Sequence, residues 1–335
     1  MQENQRKDLT ISIVNWNSGH LIIKCLDSIL RTVSRHSFQI FVVDNDSEDD
    51  SVEMIHRRFP NVILIQNQDN LGYARAHNQV LSIIETPYIL LLNPDCEFME
   101  DAIDRVLDVM DANPHAGLAG CRVLFSDQTV QNTIIACPTL TSELKRFLIY
   151  QFYPFSNLMR QIIDQATDPI DGYRDMFLVK AIGGPFLMAR TSMLLEIGQL
   201  DEDFFLFSEE IDLCLRAEKR NWDILYIPDC SVHHFLGKCR EKAPTEFSEY
   251  HFQRSRLIFF LKHKGFLAWA LLCCISMFFC AWSYVVEFLK TGIFIALGKE
   301  HNSLYLRNIA ARKQAIIDVI KHSGVWELPQ GRGQK

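Results

Sequence analysis

The chain has 335 residues, a formal net charge of −7 and a hydrophobic content of 48%. That length holds one large α/β domain with an appendage, or two modest domains, so core size is no constraint. The acidic balance argues against a general polyanion binder, because nucleic-acid modules carry a basic face; no nucleic-acid partner is expected, and a bound phosphate would need a metal or a few placed cations.

Leu9 to Val14 reads as a first strand that breaks at Asn15-Trp16-Asn17-Ser18-Gly19. His20 to Arg31 follows with Leu21, Cys25, Ile29 and Leu30 at helical spacing. Ile40 to Val43 is a second strand, stopped by the acidic loop Asp44 to Ser51, which caps a helix over Val52 to Phe59. The loop begins like an EF-hand, but Asp49 stands where glycine belongs and Ile55 where glutamate belongs, so it fails as a calcium site. A third strand, Val62 to Gln66, leads through Asn70 to Asn78 into a helix reaching Ile84. Gly72 stands alone there, and no G-x-G-x-x-G follows any of these strands, which weakens a dinucleotide-dehydrogenase reading.

The stretch Thr86 to Glu97, T-P-Y-I-L-L-L-N-P-D-C-E, is central. Tyr88 to Leu92 is an unbroken apolar run of strand length, the pattern of a strand buried on both faces. Pro94 cannot donate to a ladder and restricts Asn93, so the strand stops and presents Asp95 at its carboxyl end. Ligands of open α/β sheets sit at that edge. A carboxylate there suits a hard cation such as Mg2+ or Mn2+ carrying a diphosphate, the alternative being a strand-terminating Asp in a turn. Strands alternating with helices imply right-handed crossovers and a mostly parallel sheet.

Asp101 to Met110 reads as a helix, Gly117 to Phe125 as a strand and Ser126 to Thr129 as a turn. From Gln131 to Arg174 the pattern loosens into a variable insert, helical around Leu144 to Leu158. Gly183-Gly184 precede a short apolar strand ending at Ala189-Arg190, and adjacent glycines permit close backbone approach to a ligand or form a simple turn. Asp201 to Arg216 is a second dense constellation, with Glu209, Glu210 and Asp212 crowding a helix N-terminus. Clustered like charges raise at least one pKa, which suits a general base or a cation site; capping is the plainer explanation. Tyr226 to His234 reads as an alternating edge strand with Cys230, Val232 and His234 on one face.

The ten cysteines show no C-x-x-C pair and no zinc spacing, and most sit in apolar runs. A reducing compartment without disulfides is expected. The polar N-terminus lacks a signal-peptide pattern. Residues 241–264 are basic and aromatic. Phe266 to Val286 has no charge and is long enough to span a bilayer core of ~30 Å, with Trp269, Trp282 and Tyr284 near its ends. A single span, a re-entrant hairpin and an in-plane anchor all fit. So does a hydrophobic hairpin that closes a homo-oligomer. Tyr305 to His322 reads as an amphipathic helix.

Seven stretches, in order, carry a resemblance: I-S-I-V-N-W-N-S, V-V-D-N-D-S-E-D-D-S, N-L-G-Y-A-R-A-H-N, L-L-L-N-P-D, I-G-G-P-F-L-M-A-R, F-F-L-F-S-E-E-I-D-L-C-L-R and I-P-D-C-S-V-H-H. Together, from Leu9 to His234, they resemble the family 2 inverting glycosyltransferases with a GT-A fold, especially the rhamnosyltransferase-like branch of bacterial surface polysaccharide synthesis. The resemblance implies an α/β GT-A domain over residues 1–240. A connecting segment over 241–264, a membrane-associating segment over 265–298 and a C-terminal helix and tail over 299–335 follow as the appendage.

It further implies that Val14, Asn15 and Asn17 line the nucleotide pocket, that Asp44 contacts the nucleobase, and that Arg75 and Asn78 lie near the donor diphosphate and sugar. Asp95 would hold the metal, Mg2+ or Mn2+, with Asn93 in the first place of the family's D-x-D motif, and His234 would help with the metal or diphosphate. Gly183 and Gly184 would form part of the acceptor side. The family's Glu-Asp pair is Glu209-Glu210 here, making Glu210 the catalytic base and Glu209 the reserve candidate, with Asp212 and Arg216 completing the motif. The implied partners are a nucleotide-diphosphate sugar, such as that of rhamnose, a glycan or lipid-linked acceptor, and the cytoplasmic face of the inner membrane. Two other functions compete. A sugar nucleotidyltransferase would need a Gly-rich phosphate loop, which residues 15–19 do not supply. A non-catalytic nucleotide-sugar-binding scaffold is favoured only by Glu210 in place of Asp.

Overall fold

A computed structural model of the chain describes residues 7–151, 175–235, 245–296 and 304–322. The expected insert beyond Gln151, the start of the connecting segment and the end of the tail lie outside the described residues.

The chain opens with β1 (Leu9–Asn15), α1 (His20–Thr32), β2 (Phe38–Asn45), α2 (Ser51–Arg58), β3 (Ile63–Asn67), α3 (Tyr73–Leu81) and β4 (Tyr88–Leu92). Every residue of β4 is buried, as a run without polar alternation requires when both faces of a sheet are covered. β1 lies between β2 and β4, parallel to both, and β3 continues the parallel block beyond β2. Four carboxyl ends therefore meet at one edge, and the apolar runs stop there in Asn15, Asn45, Asn67 and Asn93.

β5 (Cys96–Glu97), α4 (Ala102–Ala112), β6 (Ala116–Leu124), β7 (Val130–Gln131), α5 (Leu140–Gln151), β8 (Phe177–Leu178), β9 (Phe186–Arg190), α6 (Thr191–Ile197), α7 (Glu209–Lys219) and β10 (Asp223–His234) follow. Among the described residues the strand order is β3-β2-β1-β4-β9-β6-β10-β5. β9 runs antiparallel to both β4 and β6, whereas β6 and β10 are parallel. The sheet is thus mixed, with two parallel blocks joined through one reversed strand.

One expectation is corrected. β10 is not an edge strand: it pairs with β6 on one side and with the short β8 and β5 on the other. Its first half is buried without alternation, and only from Asp229, within the register shift between Ile227 and Ser231, do Cys230, Val232 and His234 alternate with more exposed neighbours. Two-residue partners leave too little local pattern to reveal that the strand is covered.

The core gathers Ile11 and Ile13 of β1, Ile22, Leu26 and Ile29 of α1, Leu90 and Leu92 of β4, and Val106, Leu107 and Met110 of α4. Each such side chain contributes about 1.5–3 kcal/mol when fully buried.

The described residues fall into two compact units, one within Met1–Cys137 and Pro169–Lys242, the other within Pro138–Asp168 and Ala243–Lys335. The first holds the sheet. The second is helical, with α5 joined by α8 (Thr245–His263), α9 (Phe266–Ala296) and α10 (Leu304–His322). In it Phe147 stacks on Phe279 with ring centroids 5.2 Å apart. The amide of Gln253 donates to Ser276 Oγ at 3.1 Å, and Tyr250 donates to Asp318 at 2.8 Å. Phe266–Leu289 of α9 has a mean hydropathy of 2.0 and is long and apolar enough to cross a membrane.

Candidate active site

The ends of β1 and β2 carry a closed polar network. Asn15 is fully buried and donates to Asp44 Oδ1 at 2.6 Å and to Ser51 Oγ at 2.8 Å, while Ser18 donates to Asn15 Oδ1. Asp44 also accepts from the Ser47 N–H at 3.0 Å and the Ser47 hydroxyl at 2.6 Å. Asn17 sits at φ 52, a left-handed conformation that asparagine tolerates, with its N–H bonded to Ser47 Oγ and its side-chain oxygen accepting from Glu48 N–H. Val14, half-buried, pairs in register with Val43. Buried polar groups satisfied in this way hold their geometry. Ser47 and Ser51, which no sequence expectation named, are the hydroxyls that fix Asn15 and Asp44.

α3 begins at Gly72, whose φ of +82 favours glycine and whose Cβ would lie 2.4 Å from the Phe205 carbonyl oxygen. The Tyr73 N–H donates to that same oxygen at 2.7 Å. Arg75 pairs with Glu202 at 3.3 Å and stays more than half exposed. Asn78 donates to the Leu200 carbonyl at 2.8 Å and accepts from the Leu200 N–H at 3.1 Å, so its amide ties α3 to the segment before α7. His77 also went unforeseen. It is buried, its Nδ1 lies 2.8 Å from Ser12 Oγ, and burial pushes its pKa down to about 3, so it stays neutral.

Asp95 lies just beyond β4, where Asn93 N–H donates to the Pro185 carbonyl at 2.9 Å. The β5–β10 ladder sets His234 opposite Cys96, and this register brings His234 Nε2 to 3.1 Å from Asp95 Oδ1. His234 Nδ1 is 2.9 Å from Gln131 Oε1. In the tautomer that donates from Nδ1 to the amide oxygen, Nε2 is an acceptor and can share a cation with the Asp95 carboxylate. A carboxylate and an imidazole are fitting ligands for Mg2+ or Mn2+. Among the described residues no group of three or more His, Cys, Asp or Glu assembles here, so diphosphate oxygens and water would complete the shell.

The second acidic spot opens α7. Phe207 and Ser208 sit at φ 70 and 72, two successive residues in the left-handed region. That strain costs about 1–3 kcal/mol per residue and is typical of functional turns. It delivers Glu209 inward and Glu210 to a half-buried position. Glu210 Oε1 accepts from the Gly184 N–H at 3.3 Å, and burial raises its pKa. Glu209 is 1% exposed, one carboxylate oxygen has no hydrogen-bond partner, and burial, followed by the Glu210 charge, holds its pKa well above the ordinary value. The buried Tyr73 phenol feels both carboxylates and is pushed up as well, chiefly by burial. Asp212 pairs with Arg216 at 2.8 Å, and Arg216 donates to the carbonyls of Ile197, Gly198 and Gln199. Asp212 and Arg216 thereby clamp α7 to the loop after α6.

Gly183-Gly184-Pro185 joins the two acidic spots. Its proline carbonyl holds the Asp95 loop through Asn93 and its glycine N–H holds Glu210, so both carboxylates stand at the same edge of the sheet. At Gly183 a Cβ would meet the tip of the Ile135 side chain at 2.0 Å, so Ile135 would have to turn aside, and Gly184 sits at φ +92. A carboxylate–imidazole pair that could hold a cation, beside a carboxylate of raised pKa, is suited to moving a phosphorylated leaving group while accepting a proton.

Known proteins share this architecture. The chain is similar to an N-acetylglucosaminyl-diphospho-decaprenol L-rhamnosyltransferase of Mycobacterium tuberculosis, at 23% identity over 78% of this chain and 89% of that protein. The fold resembles that of the mannosyltransferase PcManGT from Pyrobaculum calidifontis solved with GDP-Man and Mn2+, with a TM-score of 0.53, 15% identity, and coverage of 97% of this chain and 88% of that one. It also resembles GalNAc-T7 solved with UDP, GalNAc and Mn2+, with a TM-score of 0.51 and 12% identity over 76% of this chain; the match spans 51% of that longer chain. Residues 10–174 match the family model described as glycosyl transferase family 2, and the motifs from Gly183 to His234 lie beyond the matched residues. With its GT-A sheet and this match, the chain carries a family 2 glycosyl transferase domain over residues 10–174 and is similar to rhamnosyltransferases.

Proposed function

We propose that this protein transfers a sugar, rhamnose in the first instance, from a nucleotide-diphosphate sugar to a lipid-linked or growing glycan acceptor in polysaccharide synthesis. The work is done at the cytoplasmic face of a membrane. The observation that carries the reading is the Gly184-Pro185 bridge, which ties the Asp95 loop and Glu210 to one edge. The polyprenol-diphosphate substrate in the name of the mycobacterial relative supports the acceptor class, and the apolar α9 supports the location.

In this reading Val14, Asn15, Asn17 and Asp44 receive the nucleoside, and Arg75 reaches the diphosphate. Asp95 and His234 would hold Mg2+ or Mn2+, which would neutralise the charge growing on the leaving diphosphate. Glu210 takes the proton of the acceptor hydroxyl as its oxygen bonds to the anomeric carbon. The bond from that carbon to the diphosphate breaks on the opposite face, so configuration inverts without a covalent intermediate. The half-buried Glu210 is the base because it reaches the edge. Glu209 is turned inward, where burial raises its own pKa and keeps it from the edge.

The test is a panel of nucleotide sugars given to the purified full chain with and without Mn2+, read as nucleoside diphosphate release in the presence of a lipid-diphosphate glycan. Metal-dependent release with one donor supports the reading. No release and no thermal shift with any nucleotide would overturn it.

A further inference from the structure

The helical unit has two unlike faces. α9 turns Leu267, Leu271, Phe278, Trp282, Val285 and Phe288 outward, and every one of them is about half exposed or more. From Leu267 to Leu289 this stripe runs about 33 Å along the helix. The opposite side of α9 is the covered one, and it is there that Ser276, Ser283 and the helix's described acid, Glu287, are buried. α10 is the reverse case: its exposed positions include Arg307, Lys313, Gln314 and Lys321. α9 packs along both α8 and α10, which are tied to each other by Tyr250–Asp318 at 2.8 Å, Arg307–Glu246 at 3.6 Å and Arg312–Glu249.

A helix bound in this way cannot cross a bilayer alone. Its neighbours would travel with it, and the outward lysines and Gln314 of α10 would face acyl chains, an arrangement that buried charges in membranes avoid. Lying flat satisfies both faces at once, because an interfacial helix sinks one apolar side and leaves its companions in water. Charge selects lipid over a second copy of the chain. Residues 245–322 carry ten Lys or Arg against five Asp or Glu, although the whole chain is at −7. A cationic unit is attracted to an anionic leaflet and repelled by its own copy. A groove of about 930 Å³ between α9 and α10, walled by Tyr284, Phe288, Leu289, Leu306 and Ala310 with Arg307 among its lining residues, extends the apolar surface beside a cation suited to a lipid phosphate.

We propose that α9 lies in the plane of an anionic lipid leaflet, its Leu267–Leu289 stripe among acyl chains and the outward face of α10 in water, so that both ends of α9 stay on one side of the membrane. This deepens the membrane location given under Proposed function. It is tested on the full chain carrying an epitope tag at each terminus, in sealed vesicles treated with protease from outside. Both tags cut together, or both protected together, is the expected result; one cut and one protected means a span and overturns the proposal. In parallel, purified protein is floated with phosphatidylcholine vesicles with and without phosphatidylglycerol. Binding that requires the anionic lipid and falls at least tenfold in the Phe278→Glu/Phe288→Glu variant, with an unchanged circular dichroism spectrum, supports it. Absence of flotation with either vesicle, or gel filtration in which the wild type is a dimer that this variant dissolves, overturns it. The wild-type tag result stands even if the variant misfolds. A failed nucleotide panel would remove the sugar-transfer reading and leave both membrane readouts intact.

Discussion

Asp95 Oδ1, just past the end of β4, lies 3.1 Å from Nε2 of His234, the last residue of β10. Two residues far apart in the chain are brought into contact by a two-strand ladder of only two residue pairs. Asp95→Asn is expected to lower kcat/KM by about 10²- to 10³-fold, the scale for losing one electrostatic stabiliser of developing charge. His234→Ala should raise the Mn2+ concentration needed for half-maximal rate about 10- to 100-fold. A Mn2+ titration of initial rates checks both, and an unchanged metal requirement in both variants would remove the pair from the metal site.

Glu210→Gln keeps the contact to the Gly184 N–H and removes the proton acceptor. A fall in kcat of about 10²- to 10⁴-fold with little change in donor KM is expected. Because burial raises the Glu210 pKa, the ascending limb of the kcat profile should lie above the ordinary glutamate range. Steady-state rates across pH measure this; a limb at the ordinary glutamate value would argue against the assignment.

The Glu209 carboxyl has a raised pKa in the folded state against an ordinary value of 4.5, so between the two the native protein binds the extra proton. Stability from this group is therefore present at low pH and is lost as pH rises through the folded pKa. Glu209→Gln should remove that decline and melt higher than the wild type at neutral pH. Thermal melts of both proteins over a pH series decide it.

Arg216→Ala leaves the buried Asp212 without its guanidinium and frees three carbonyls, the last of α6 and two of the loop after it. Loss of one partner of such a pair costs about 3 kcal/mol or more. Urea unfolding measures it, and Arg216→Lys should recover only part, since one ammonium cannot reach the carboxylate and three carbonyls in the same fork.

Gly72→Ala would push a Cβ into the Phe205 carbonyl at a positive φ. A loss of about 1–3 kcal/mol is expected, together with weaker donor binding as Tyr73 and Arg75 shift. Denaturation midpoints and nucleotide thermal shifts read the two effects separately.

The first half of the sheet was plain in the sequence because Tyr88 to Leu92 and the runs before it are long, apolar and end in polar residues. The acidic helix start at Glu209 was plain for the same reason. What stayed hidden depends on partners far along the chain. Cys96–Glu97 and Phe177–Leu178 are too short to leave a periodic signal, so β10 read as uncovered. Gln131, which orients His234, sits where the pattern had loosened into an insert. His77 read as part of the loop entering a helix, and its bond to Ser12, far back in the chain, leaves no local mark. The reversed direction of β9 has no local signature, because the residues 186–190 read the same in either direction.

β4 and β9 are neighbours, yet the chain between Asn93 and Pro185 departs and comes back, and its two ends are fastened by one backbone hydrogen bond. Closing such a detour costs only about 0.6 kcal/mol more for each doubling of its length. Evolution can therefore lengthen, shorten or rewrite residues 138–168 while Asp95 and Glu210 keep their places. Diversification among relatives should concentrate in residues 138–168, leaving the chemistry inherited and the clientele free to change.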